Sequence, residues 1–188
     1  MPAPISEYVP QVLVDAEASG RRRRVALAAW GLAAAVAAAL VAALLLAPAA
    51  QARGWGTLSA ALYQAFRPVC HQIAERSFHL EGFPMAVCAR CAGLYAGALG
   101  GMLLYPLTRR LTRTDAPRRE WVFAAALPTA VDFALGFLGL WENTHWSRFS
   151  TALVLGASVP FFVVPGLVGL GLARRRGRPL RVGVSRGG

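Results

Sequence analysis

Lysine is absent from this chain. All 20 basic residues are arginine, the acids number 9, and charged residues make up only 15% of 188 positions. A soluble globular domain carries roughly 25% charge, so an ordinary water-soluble enzyme is excluded. The length leaves room for one compact domain rather than two. Glycine (19) and proline (12) are frequent, but they sit mostly inside apolar stretches, which rules out a collagen-like or low-complexity chain. No internal repeat, catalytic triad, phosphate-binding loop or paired-carboxylate hydrolase site is present. What is there in quantity is apolar: 56% of residues are hydrophobic. The net charge of +11 does not point to nucleic acid, because the arginines flank long apolar runs instead of interleaving with a polar face, and neither tail carries a nucleic-acid motif.

Four of these runs are long enough to cross a bilayer. Residues 25–47 hold no charge and follow directly on Arg21–Arg24. A hydrocarbon layer of about 30 Å takes roughly 20 helical residues. Residues 84–107 contain Arg90, residues 121–141 contain Asp132, and residues 149–173 end at Arg174, Arg175 and Arg176. Backbone groups in lipid must bond within the chain, and these runs are too long for barrel strands, so the sequence predicts an all-α, polytopic helical membrane protein with four transmembrane helices. Residues 1–24 read as a cytoplasmic tail, 48–83 as an outer segment and 174–188 as a basic cytoplasmic tail without fixed structure, which anchors topology or holds anionic headgroups. Segments 1–24, 108–120 and 174–188 hold 15 arginines, whereas the segments between and Arg90 hold 5. The positive-inside rule then places both termini in the cytoplasm of a plasma-type membrane. Trp121, Trp141, Trp146 and Tyr105 fall near the expected interfaces. Ala50-Gln51-Ala52 fits a signal cleavage site, but the apolar run before it is longer than a signal core and 20 residues precede its first arginine; a retained span is the reading taken.

The outer segment carries the chemistry. In Thr57–Phe66 the residues Leu58, Ala61, Leu62, Ala65 and Phe66 recur at helical spacing, which predicts a short interfacial helix ended by Pro68. This stripe lies along the membrane surface or covers the bundle. All three cysteines, Cys70, Cys88 and Cys91, fall within 22 positions together with His71 and His79. If Pro84 opens the second span, Cys88 and Cys91 stand one turn apart on one helix face. Two thiolates at that spacing chelate a soft or borderline ion, Cys70 adds a third, and His71 or His79 completes a zinc site. His71 adjoins Cys70, so both can bind one ion only across a sharp turn. His145, in the loop Glu142–Arg148, is another possible ligand across the bundle. A second CxxC or HxxxH is missing, so no zinc-finger pattern is made. The same atoms also allow thiol–disulfide exchange, with Cys88 and Cys91 pairing and Arg90 and a helix N-terminus favouring thiolate, or an inert structural staple. These three readings stay open.

The residues Cys70-His71-Gln72, then Glu75-Arg76-Ser77-Phe78, and Cys88-Ala89-Arg90-Cys91 followed by Gly93, Tyr95 and Gly97 resemble the bacterial and archaeal membrane proteins grouped as domain of unknown function 2085. Leu127-Pro128, Asp132, Asn143, Arg148 and the region of Gly156 are similar to the second half of that family. The resemblance covers about residues 60–165 and implies a small polytopic membrane protein without assigning an activity. Where the family commonly has threonine after the second CxxC cysteine, Ala92 stands here, a departure that bears on packing.

Inside the spans, Asp132 stands near mid-depth, where a lone carboxylate costs about 3 kcal/mol or more. Arg90, Arg76 and Arg148 are its candidate partners; pairing with Arg90 would set the third span against the second beside the cysteines. The alternatives are a structural ion pair, a protonated Asp132 bonded to a neighbouring carbonyl, and a proton, ion or metal path, and any such path would need oligomerisation. Gly93, Gly97 and Gly101 recur every four residues, the pattern of close helix approach, within the chain or in a homo-oligomer. Pro128, Pro160 and Pro165 should kink the third and fourth spans. The leading expectation is a metal-binding membrane protein with Cys70, His71, Cys88 and Cys91 as ligands and zinc as the ion, embedded in a lipid bilayer. A membrane thiol–disulfide oxidoreductase and a small transporter built on Asp132 are the alternatives.

Overall fold

The structure, a computed structural model, describes residues 11–176, with side chains from 16 to 174. Residues 1–10 and the stretch from 177 onward, which belong to the tails expected from sequence, lie outside the described residues. The elements are α1 (Gln11–Ala52), α2 (Gly56–Phe66), a 3-10 turn at Ala74–Arg76, a small antiparallel hairpin of β1 (His79–Leu80) and β2 (Phe83–Pro84), then α3 (Ala89–Thr108), α4 (Glu120–Phe137), α5 (His145–Ser158) and α6 (Pro160–Arg176). Among the described residues four helical stretches are long and apolar enough to cross a bilayer: Ala16–Ala52, Ala89–Thr108, Glu120–Phe137 and His145–Arg174. This is the all-α membrane architecture that the apolar runs predict.

The boundaries differ for local reasons. Arg21–Arg24 form part of α1, because arginine is a good helix former and no proline falls between Gln11 and Ala47. Pro84 does not open the second span. Instead Glu81 and Gly82 both adopt positive φ (54° and 84°), the two-residue turn that joins tightly twisted strands, and Pro84 pairs with His79 in the hairpin. The helix starts five residues later, with Cys88 in extended conformation as its N-cap. The third span, α4, stops at Phe137, and the fourth span is broken at Pro160 into α5 and α6. Proline lacks the N–H that would continue the ladder.

Packing is uneven, as expected where lipid replaces water and helices gain little by hiding leucine from it. The closest pair is α3 with α5. Gly93, Gly97 and Gly101 lie against the backbone carbonyls of Phe149, Leu153 and Ala157, and Gly156 lies against that of Leu94. The glycine stripe therefore serves packing within the chain. One apolar cluster joins Leu44 and Ala47 of α1, Phe66 of α2, Val87 and Ala92 at the hairpin end of α3. A second, at the other end, joins Ala26, Met102, Tyr105, Val164 and Val168. Tyr105 is fully buried there and takes no place at an interface, unlike Trp121, Trp141 and Trp146, which are exposed. Helix α4 packs on α5 and buries only Asp132, leaving Phe123, Leu127 and Phe137 on its outer face.

Candidate metal centre

Three elements bring the cysteines together. Helix α2 turns a different face inward from the one its hydrophobic spacing marks: Ser59 and Phe66 are buried, Leu62 and Tyr63 half-buried, and Leu58, Ala61 and Ala65 remain exposed. Polar anchoring causes the rotation. The Ser59 hydroxyl donates to the Ala47 carbonyl of α1 (3.0 Å), and the Tyr63 hydroxyl donates to the Pro84 carbonyl of the hairpin. Burial raises the Tyr63 phenol above its ordinary pKa. The chain leaves α2 at Pro68, and the Cys70 N–H still donates to the Phe66 carbonyl (3.0 Å), which fixes the buried Cys70 beside α2.

Gln72 then locks the loop, a role that sequence reasoning missed. Its backbone is left-handed (φ 53°), a conformation that costs a non-glycine residue about 1 kcal/mol or more. Its side-chain amide holds it there, donating to the Tyr63 carbonyl (2.7 Å) and the Ala86 carbonyl (2.8 Å). One amide thus ties α2 to the segment that enters α3. The sequence signal was the glutamine within Cys-His-Gln, legible as a motif but not as a staple.

With the loop set, the Cys70, Cys88 and Cys91 sulfurs lie within 4.8 Å of one another, and all three are free thiols. The Cys70 sulfur accepts from the backbone N–H of Cys88 (3.2 Å) and of Gln72 (3.5 Å). Cys88, just outside the membrane-spanning part of α3, has its pKa lowered to about 5. The hydrogen bond from the Cys91 thiol is the main cause; bonds from the Cys91 and Arg90 backbone and from Cys70 add to it, against burial. A pocket of about 140 Å³ reaches the cysteines and is lined also by His71, Arg76, Arg90 and Arg148. His71 is exposed at its lip and does not join the sulfur group; His79 on β1 and His145 stay outside it as well. His145 instead packs on Phe78, ring centroids 5.6 Å apart.

Asp132 and Arg90 form an ion pair at 2.5 Å with the acid buried. Arg90 also lies over the Phe133 ring, 5.3 Å from its centroid, and the Asn143 amide donates to the Asp132 backbone carbonyl. The expected pairing is present, but the expected packing of the third span on the second is not: α4 rests on α5, and the long Arg90 side chain reaches across to it.

The profile of a family described as "Predicted membrane protein (DUF2085)" matches residues 70–162, a range that starts at Cys70 and takes in the three cysteines, Gln72, Arg90 and Asp132. An uncharacterized protein of Methanocaldococcus jannaschii is 39% identical over 111 residues, which is 59% of this chain and 71% of that protein. An uncharacterized protein of Methanothermobacter thermautotrophicus is 36% identical over 94 residues, 48% of this chain and 80% of that protein. No solved structure matches the chain.

Proposed function

The chain belongs to the DUF2085 family of predicted membrane proteins, and from that premise we propose that it binds one zinc-like ion through Cys70, Cys88 and Cys91. The observation that carries the reading is the convergence of three free thiols to within 4.8 Å. Thiolates around a tetrahedral ion with bonds of about 2.3 Å stand roughly 3.8 Å apart, so the sulfurs need only small adjustments. The donor set suits a soft or borderline ion. Arg76, Arg90 and Arg148 on the pocket wall compensate the excess negative charge of three thiolates around a divalent ion. The fourth position falls to His71 at the lip or to an exchangeable ligand. We read the site as facing away from the cytoplasm: Arg21–Arg24 and the arginines of 109–119 belong to the opposite ends of α1, α3 and α4, and arginine accumulates on the inner side. Asp132, already paired, anchors α4 in this reading and carries no proton path.

Elemental analysis of the detergent-purified chain tests the proposal. One zinc per chain, lost in a Cys88→Ser/Cys91→Ser variant, is the expected result. No bound metal, with one free thiol out of three before reduction, would overturn it in favour of thiol–disulfide chemistry. That second reading draws on the low pKa of Cys88 beside Cys91. Orientation has its own test: a thiol reagent that cannot permeate should label intact cells once metal is stripped, and labelling only after lysis would invert the topology.

A further inference from the structure

Next to the thiol pocket, and sharing the Arg76, Arg90 and Arg148 wall with it, lies a larger cavity of about 420 Å³. We propose that this cavity binds a phosphate-type oxyanion through those three arginines, a site distinct from the sulfur centre. Three guanidinium groups from three separate elements (the 3-10 turn, α3 and α5) converge on it. Guanidinium is the side chain best shaped to hold phosphate, by paired N–H donors in one plane.

The bonding state of these arginines supports a ligand rather than internal pairing. Of the three, only Arg90 has an acidic partner within 4.0 Å among the described residues, Asp132; Arg76 and Arg148 have none there. Glu75 and Glu142 also line the cavity, both exposed, and neither pairs with any of the three. The Nε atoms of Arg90 and Arg148 are buried and find no protein acceptor. The protein's own acceptors therefore do not saturate these guanidinium groups. Arg90 is also held in place before any ligand arrives, by Asp132 on one side and the Phe133 ring on the other, which lowers the ordering cost of binding.

Beside Gly136 and Asn143, the wall carries three aromatic residues, Phe133, Phe137 and Trp141, all substantially exposed on α4 and the loop after it. A cationic floor with an apolar wall at the end of a membrane helix suits a phosphate carried on an apolar body, such as a lipid headgroup. The same floor also holds a free phosphate.

Full-length protein in non-ionic detergent, with chelator present to keep metal out of the sulfur site, is titrated by calorimetry with inorganic phosphate and with octyl phosphate. We expect saturable binding of one octyl phosphate per chain, weakened at least tenfold in Arg148→Gln and partly retained in Arg148→Lys. Binding of octyl phosphate with much weaker inorganic phosphate assigns the lipid headgroup as the source; equal binding of both assigns a free oxyanion. Trp141→Ala should weaken only the octyl compound in the first case. Absence of saturable binding by either probe overturns the proposal, as does binding that both Arg148→Gln and Arg76→Gln leave unchanged. Arg76, exposed on its 3-10 turn, keeps the test decisive should Arg148→Gln fail to fold.

Discussion

Replacing Gly97 by alanine tests whether the α3–α5 contact holds this molecule together. A Cβ on Gly97 would stand 2.2 Å from the Leu153 carbonyl oxygen and 2.9 Å from the Ala157 nitrogen. Cβ contacts below 3.0 Å are essentially never seen, and both neighbours are backbone, so no side-chain rotation relieves the clash. Helix α5 must withdraw, and it also rests on Gly93 and Gly101 at 2.2 and 2.4 Å by the same measure. Overpacking of this kind costs about 1–3 kcal/mol, partly offset by the roughly 1 kcal/mol that alanine gains over glycine in a helix. Gly100 provides the control three residues away. A Cβ there meets nothing within 4 Å, so Gly100→Ala carries only the propensity gain. The two variants should therefore differ by about 2 kcal/mol, with Gly97→Ala below the parent and Gly100→Ala at or above it. Denaturation in mixed micelles, followed by far-ultraviolet circular dichroism, reads both midpoints. Equal midpoints, or a Gly97→Ala variant more stable than Gly100→Ala, would refute the claim that carbonyl-to-glycine contact sets the helix spacing.

Four further outcomes are expected. Removing one partner of the Arg90–Asp132 pair leaves a poorly solvated charge, so Arg90→Gln should cost about 3 kcal/mol, whereas Arg90→Gln/Asp132→Asn should recover most of it; a double variant as unstable as the single one would defeat the pairing argument. Asp132→Asn should fold and Asp132→Lys should not insert stably, which expression and thermal stability together will report. Gln72→Ala deprives the Tyr63 and Ala86 carbonyls of their donor, at about 1–3 kcal/mol, and should lower zinc content by loosening Cys70. In metal-free protein Cys88 has the lowered pKa, so it is charged above about pH 5; its alkylation should stay rapid at pH 6, where an ordinary thiol is protonated, and fall only as the pH drops through 5.

The parts of this fold that followed from composition were legible in sequence: four apolar runs, a glycine stripe, and an acid in a span that had to find a base. Each of these is dictated by one residue type and its local environment. What sequence did not display depends on meetings between distant segments. The hairpin at His79–Pro84 hides because its strands are two residues long and its turn is Glu-Gly. The inward face of α2 was not legible, because Ser59 and Tyr63, polar by type, are held inward by carbonyls of α1 and the hairpin. Of the ligands expected, the three cysteines converge, and His71 stays at the pocket lip. A His directly following a cysteine points elsewhere unless the backbone turns sharply, and the turn here falls at Gln72.

The contacts that gather the three thiols are made by the chain itself. Cys70 is held by α2 and by two backbone N–H donors, and Cys88 and Cys91 by the first turn of α3. The cluster of Leu44, Ala47, Phe66 and Val87 packs beneath all three. None of these contacts requires metal, so an ion should bind a nearly finished site and stabilise it by mass action, about 2.7 kcal/mol at a hundredfold excess over Kd. A zinc finger, by contrast, gains its fold from the ion. Chelation of this protein should therefore lower its melting temperature while leaving its helical circular dichroism intact at 25 °C. Loss of helix on chelation would mean that the metal, rather than the α1–α2–α3 packing, gathers the sulfurs.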